Sequence, residues 1–300
     1  MQVPWFLSPR PSLDRDAGRR GAVDLDRTEA VLVNGGTILM EGERLAFRSV
    51  AEAPPGGLIV YLGRHDGRDI SAIGLISPGE PATPPLAFVP LREAFGLLDP
   101  GPAGDVEREI AATAVAMITW HARNPRCEEC GEPTEVREAG WSRRCVRDNR
   151  DHYPRTDPAV IVAITDEADR LLLAHVSYHS SHFFTHLAGF VEPGESLEHA
   201  AHREVREEAS LAITELTYVG SQPWPFPASV MAAFRARARA EELRVDGVEV
   251  TEARWMERAE LSAAVATGEL RLPPPGTIAR HLIHEWYGGD LDAPPHVGPS

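Results

Sequence analysis

Gly189-Phe190-Val191-Glu192-Pro193-Gly194-Glu195, then seven residues, then Arg203-Glu204-Val205-Arg206-Glu207-Glu208-Ala209-Ser210-Leu211, is the stretch on which the reading of this chain turns. A helix is expected from about Glu198 to Ala209. On it Glu204 and Glu208 stand at i,i+4 and Glu204 and Glu207 at i,i+3, so three carboxylates gather on neighbouring parts of one surface. Crowded anions cost energy unless positive charge sits among them. Either Arg203 and Arg206 provide it on a solvated acidic face, or a hard divalent cation such as Mg²⁺ or Mn²⁺ does so through oxygen ligands.

Outward from the helix, Ala159–Ile164 and Leu171–His175 read as buried strands separated by the polar turn Asp166–Arg170. Thr277–Tyr287 reads as a last helix stopped by Gly288-Gly289. Between them lies Ser221-Gln222-Pro223-Trp224-Pro225-Phe226-Pro227-Ala228-Ser229, whose alternating prolines force extended geometry and display Trp224 and Phe226 on a stiff ribbon. Such a ribbon suits stacking on a nucleobase or nicotinamide, with Gln222 and Ser229 as polar contacts; its alternative is a rigid turn with core aromatics. His175, His179, His182 and His186 have helical spacing, but their Ser- and Phe-rich surroundings read as a loop near substrate phosphates.

Upstream, Cys127-x₂-Cys130-x₁₄-Cys145-x₂-Asp148 would be a zinc ribbon if position 148 were cysteine. Three thiolates with Asp148, or with His152, can still hold zinc; the alternative is a lapsed site held by packing. Arg143, Arg144, Arg147 and Arg150 form either a patch that guides a nucleic-acid strand or a solvated surface. The first third is broken by Pro and Gly around short β-like runs, Leu58–Leu62 and Ile70–Ile76. A helix follows with Asp105, Glu107 and Glu109 in its first turn, where carboxylates suit the helix dipole, and Asn124-Pro125 ends it.

Composition narrows the function. The 300 residues carry a formal charge of -15, which disfavours binding dominated by nucleic-acid phosphates. There is no lysine, so Schiff-base and P-loop lysine chemistry are excluded. No apolar run is long enough to span a membrane, and the start carries no basic region followed by an apolar stretch. Three cysteines argue against a disulfide framework, so a cytoplasmic protein is expected.

Taken together, Gly189 to Leu211 resembles the Nudix box, departing from it at one fixed position, where Ser210 replaces a glycine. A left-handed residue is expected there, costing on the order of 1–2 kcal/mol in stability but removing no ligand. With SQPWPFP, the chain resembles the NADH pyrophosphatase subfamily, which includes NAD-cap-removing hydrolases. The resemblance runs from roughly Cys127 to Tyr287 and more loosely before that. It implies a Nudix α/β/α sandwich, preceded by a zinc-ribbon-like segment and an N-terminal mostly β domain. The expected boundaries are 1–123, 124–153, 154–288 and a loose tail 289–300.

The resemblance further implies Mg²⁺ or Mn²⁺ held by Glu204, Glu207, Glu208, Glu249 and the Ala188 carbonyl, with Glu204, Glu207 and Glu208 catalytic. Glu195 and Arg203 would hold loop to helix. Implied substrate contacts are Tyr153, Phe190, Gln222, Pro223, Trp224, Pro225, Phe226, Pro227, Ala228, Ser229 and Ala279, with Arg92 from Leu91-Arg92-Glu93. The implied reaction hydrolyses the pyrophosphate of NADH or NAD⁺, free or as an RNA cap, in a homodimer. Two alternatives stand: a broader pyrophosphatase for ADP-ribose, FAD or diadenosine polyphosphates, and a non-catalytic pyridine-nucleotide sensor. Intact SQPWPFP disfavours the first and the surviving glutamates disfavour the second.

Overall fold

The computed structural model describes residues 4–8, 11–52, 56–75, 86–99, 101–177, 182–239, 243–289 and 291. His179 and nearly all of the expected tail lie outside these residues. The chain divides into two units, Val3–Thr156 with Trp224–Ala228, and Asp157–Pro223 with Ser229 onward.

In the amino-terminal unit the strands are β1 (Glu29–Asn34), β2 (Thr37–Glu41), β3 (Arg44–Leu45), β4 (Phe47–Ser49), β5 (Leu58–His65), β6 (Arg68–Gly74) and β7 (Leu86–Pro90). Helices α1 (Leu91–Leu97) and α2 (Pro102–Arg123) follow, then a three-stranded sheet of β8 (Thr134–Arg137), β9 (Ser142–Cys145) and β10 (Asp151–His152). The large sheet runs β3-β2-β1-β6-β5, with β4 on β1 and β7 on β2. Val31, Val33, Ile38, Val60 and Leu62 pack into one core with Phe95, Ile110, Ala114 and Met117 of the helices.

Helix α2 starts at Pro102, so Glu107 and Glu109 lie beyond its first turn. The dipole role expected for them is replaced by gripping other segments. Glu107, 3% exposed, accepts the Leu45 N–H at 2.8 Å and pairs with Arg44. Glu109 accepts the N–H groups of Ser12 (2.9 Å) and Leu13 (3.2 Å). Between them the buried Arg108 guanidinium donates to the carbonyls of Phe95 and Asp99, both at 2.9 Å, and to that of Leu98. Three consecutive charged side chains thus satisfy backbone groups that burial would otherwise leave unpaired.

His121, near the end of α2, is buried beside the small sheet. Its Nε2 donates to the Gly140 carbonyl (2.8 Å), and its Nδ1 accepts from Arg143 (2.9 Å), which fixes the neutral tautomer. Burial, with the Arg143 charge, pushes its pKa down to about 4, against the Gly140 bond that favours the cation. The unfolded chain takes this proton near 6.5, the folded chain only near 4, so His121 costs stability as pH falls through that window. The urea midpoint is expected to drop between about pH 7 and 5, and His121→Gln to flatten part of that slope. Equal slopes for the two proteins would place the acid sensitivity elsewhere.

The carboxyl-terminal unit contains β11 (Asp157–Thr165), β12 (Leu171–Val176), β13 (Leu187–Phe190), α3 (Leu197–Ala209), β14 (Ile213–Trp224), β15 (Ser229–Ala238), β16 (Val250–Met256), α4 (Arg258–Thr267) and α5 (Ile278–Tyr287). Trp224, the last residue of β14, falls in the other unit's grouping. The sheet order is β14-β15-β11-β12-β16, with β13 on β11, and β11 is parallel to β15. Central β11 is buried on both faces. Val160, Val162 and Ile164 pack with Ala201 and Val205 of α3, while the alternate residues Ile161 and Ala163 are buried on the face that α5 contacts. The expected α/β/α sandwich is therefore present.

Helix α4, absent from the sequence reading, is announced by a reciprocal capping box between Glu257 and Glu260. Both units also follow one strand plan that the sequence shows no repeat for. β1, β2, β4, β5, β6 and β7 pair with one another as β11, β12, β13, β14, β15 and β16 do, and two helices close each set. One difference lies after the third of these strands: residues 191–212 carry α3, whereas among the described residues the same position carries a short turn of 3₁₀ helix, Val50–Glu52.

Candidate active site

Helix α3 begins at Ser196, whose Oγ accepts the His199 N–H at 3.1 Å, and ends at Ser210 in the left-handed region, φ 58°. The left-handed conformation expected at Ser210 is thus present, and the side chain adds a feature: Oγ donates to the Arg244 carbonyl at 3.0 Å. That exposed bond offsets only part of the backbone cost. Ser210→Gly is expected to raise the denaturant midpoint by an equivalent of up to about 1 kcal/mol. A lowered midpoint would mean the Arg244 bond outweighs the strain.

Ahead of the helix, the backbone of β13 lies against the carboxylates. A Cβ on Gly189 would meet the Glu204 carboxyl at 2.0 Å, so a side chain there would displace that carboxylate. Arg203 ties loop and helix together. It donates to both Glu195 oxygens (3.0 Å each), to the Phe190 carbonyl (2.8 Å), to Glu204 (2.7 Å) and to Glu207 (3.1 Å). Arg203 holds the Glu195 carboxyl below the usual range, helped by the Glu192 N–H.

The remaining charge is not neutralised by Arg203. Glu208 is 4% exposed and its Oε2 is buried with no hydrogen-bond partner. Burial first, then the charges of Glu204 and Glu249, push its pKa up to about 8, against the Ala188 N–H. Burial also raises Glu204, against Arg203, and Glu207 and Glu249 add to the rise. Glu204, Glu207, Glu208 and Glu249 are thus linked electrostatically, Asp246 adds to the rise of Glu208, and one oxygen among them is orphaned. Only hard oxygen donors are offered, a set that fits Mg²⁺ or Mn²⁺ rather than a soft ion.

Other predicted residues fall into three places. Gln222 is fully buried, donating to the Gly276 carbonyl (2.8 Å) and accepting the Ile278 N–H (2.7 Å), so both ends of its amide anchor the start of α5. Ala279 lies in that first turn, and Ser229 is buried opposite Asp157 at the start of β15. Trp224, Pro225, Phe226, Pro227 and Ala228 group with the amino-terminal unit. There Trp224 and Phe226 meet edge to face at 4.8 Å, and the Arg92 guanidinium lies over both rings, at 5.3 and 4.9 Å. Of the predicted contacts, two aromatics face solvent: Tyr153, 64% exposed, and Phe190, 57% exposed.

The cysteine module is built from two matching knuckles. After Cys127 and Cys130 the chain turns through left-handed Gly131; after Cys145 and Asp148 it turns through left-handed Asn149. Asp148 therefore sits where a fourth cysteine would. Its carboxylate and the Sγ atoms of Cys127, Cys130 and Cys145 lie within 4.8 Å of one another, a spacing that suits one small ion with thiolate and carboxylate ligands. His152 is not in that group; its Nδ1 is 3.7 Å from Glu128. Burial disfavours the Cys127 thiolate, yet the N–H groups of Cys130 and Glu129 and the neighbouring thiols bring its pKa down to about 7.

The arginine patch is largely occupied. Arg144 pairs with Asp151 (2.7 Å), Arg150 with Glu129 (2.8 Å), and Arg143 bonds to Thr134 and His121. His175, His182 and His186 do not converge on one ion: Nδ1 of the first meets the Phe183 carbonyl (3.0 Å), Nδ1 of the second that of Glu269 (3.1 Å), and His186 is buried. No helix among the described residues is long and apolar enough to cross a membrane.

A glycine-lined strand and a carboxylate-bearing helix on a mixed sheet give the architecture of a Nudix domain. A family profile for the NUDIX domain matches residues 155–274, and one for an NADH pyrophosphatase-like rudimentary NUDIX domain matches residues 27–120. The chain is 37% identical over 283 residues to the NAD-capped RNA hydrolase NudC of Mycobacterium bovis (strain BCG / Pasteur 1173P2), covering 90% of this chain and 87% of that protein. It is 35% identical over 192 residues to the human NAD-capped RNA hydrolase NUDT12, covering 60% of this chain and 42% of that one. A solved NUDIX hydrolase from Nitrosomonas europaea matches 55% of this chain and 93% of its own, at 21% identity and a TM-score of 0.43. The chain belongs to the Nudix hydrolase family, in the branch that holds the NAD-capped RNA hydrolases.

Proposed function

We propose that this chain hydrolyses the pyrophosphate of NAD(H) to NMN(H) and AMP, and removes NAD caps from RNA 5′ ends to leave a 5′-monophosphate. The observation that carries the reading is the carboxylate cluster around the unpartnered Glu208 oxygen, in a chain whose curated relatives are named for this activity. Glu204, Glu207, Glu208 and Glu249, with the Ala188 carbonyl, would hold Mg²⁺ or Mn²⁺. The bound cation supplies charge neutralisation at the pyrophosphate and Lewis acidity. Arg203 keeps the helix and the Gly189 loop in register, and the base that accepts the proton of the attacking water is drawn from Glu207 and Glu208.

Exposed Tyr153 and Phe190 are stacking faces for the nicotinamide or adenine, and Trp224 to Ala228 and Arg92 are further substrate contacts. Buried Gln222 acts on the substrate side through α5 and Ala279. The cysteine module holds zinc through Cys127, Cys130, Cys145 and Asp148, and the protein works as a cytoplasmic homodimer. Product analysis with NADH and with a short NAD-capped RNA, each with Mg²⁺ or Mn²⁺, tests the reading. Release of NMN(H) with AMP or with 5′-phosphorylated RNA is expected. A folded, metal-loaded protein that cleaves neither would instead point to a nucleotide sensor.

A further inference from the structure

The loop leading into β16 contains a carboxylate with a specific task. Asp246 Oδ1 accepts the N–H groups of Val248 (3.3 Å) and Val250 (2.8 Å), and Oδ2 accepts that of Glu249 (3.1 Å). The loop closes through Gly247, at φ 72°, whose N–H donates to the Val250 carbonyl at 3.0 Å. On the other side of the same residue, the Glu249 carbonyl accepts the Ser177 N–H at 2.9 Å. Glu249 is therefore fixed by its N–H and its carbonyl, although its side chain is exposed and its charge reaches Glu204 and Glu208.

An exposed side chain on a free loop would have to be ordered when a cation binds, and that ordering opposes binding. A carboxylate that collects three consecutive N–H groups removes most of this backbone freedom beforehand. We propose that Asp246 is a positioning residue for Glu249, presetting the loop so that Glu249 joins the carboxylate cluster without reorganisation. The inference rests on the reading of Glu249 as a metal ligand.

The test is direct Mn²⁺ titration of the zinc-replete full-length protein, without substrate, following free Mn²⁺ by electron paramagnetic resonance. Asp246→Ala is expected to weaken Mn²⁺ affinity on the order of tenfold, as loss of outer-sphere support does at other metal sites. Asp246→Asn keeps one acceptor oxygen and should recover part of the affinity; it also serves if the alanine variant fails to fold. The decisive comparison is with Glu249→Ala, in whose background Asp246→Ala should cost nothing further. An undiminished loss in that background would mean that Asp246 acts by its own charge or on the fold at large, and would overturn the inference. Unchanged affinity in Asp246→Ala, beside a weakened Glu249→Ala, would overturn the inference alone. Unchanged affinity in Glu249→Ala would overturn the inference together with the ligand assignment beneath it.

Discussion

Glu208→Gln is expected to slow NADH hydrolysis by ~10²- to 10⁴-fold, the range over which a positioned acid–base or metal-directed carboxylate contributes. The substitution keeps shape and volume in a site that is 4% exposed, so the fold should survive. Its effect on stability carries a sign opposite to that of most core changes. In the metal-free wild type the folded chain holds the Glu208 proton up to about pH 8, while the unfolded chain releases it near 4.5. Between those values the unfolded state is favoured more as pH rises, so stability falls from about pH 4.5 and levels off above about 8. The glutamine variant has no such proton. In chelator its melting temperature should therefore depend less on pH, and added Mn²⁺ should stabilise it less than wild type. Near-normal turnover in the folded variant would sink the assignment of this carboxylate.

Cys127→Ser carries the second large effect. If three thiolates and Asp148 hold zinc, removing one ligand forfeits metal binding energy that is folding energy for this module. A loss of several kcal/mol corresponds to a drop of roughly 10 °C in the transition of a unit this size. Elemental analysis should find one zinc per wild-type chain and less in the variant. Asp148→Cys should keep its metal longer against a chelator, because a fourth thiolate is a softer and better matched ligand. A wild-type protein without zinc, with a melting curve that Cys127→Ser leaves unmoved, would mean that packing alone holds the knuckles together.

The carboxylate helix is legible because its glutamates recur at i,i+3 and i,i+4, and a helix turns that spacing into proximity without help from elsewhere. Ser210 was legible for the same local reason, and its φ of 58° follows from where the helix must stop. Glu107 and Glu109 were misread because their partners, Leu45, Ser12 and Leu13, are distant in sequence. Helix α4 is not legible in the sequence because it buries only Leu261, Ala264 and Val265, too weak a stripe to stand out. Gln222 looks like a surface contact in a proline ribbon, and only tertiary packing makes it a buried clasp on α5. Asp246 works through backbone N–H groups, which leave no residue pattern. The shared strand plan is silent in the sequence because sheet cores ask for apolar alternation, not for particular residues.

That shared plan separates what folds from what reacts. One sheet carries the glutamate-bearing helix between its third and fourth equivalent strands, and among the described residues the other carries there a 3₁₀ turn, Val50–Glu52. The same strand pairing thus forms in both units, with a carboxylate-bearing helix at this position in one of them. The carboxylates of α3 therefore sit on a segment placed between two strands of the shared plan.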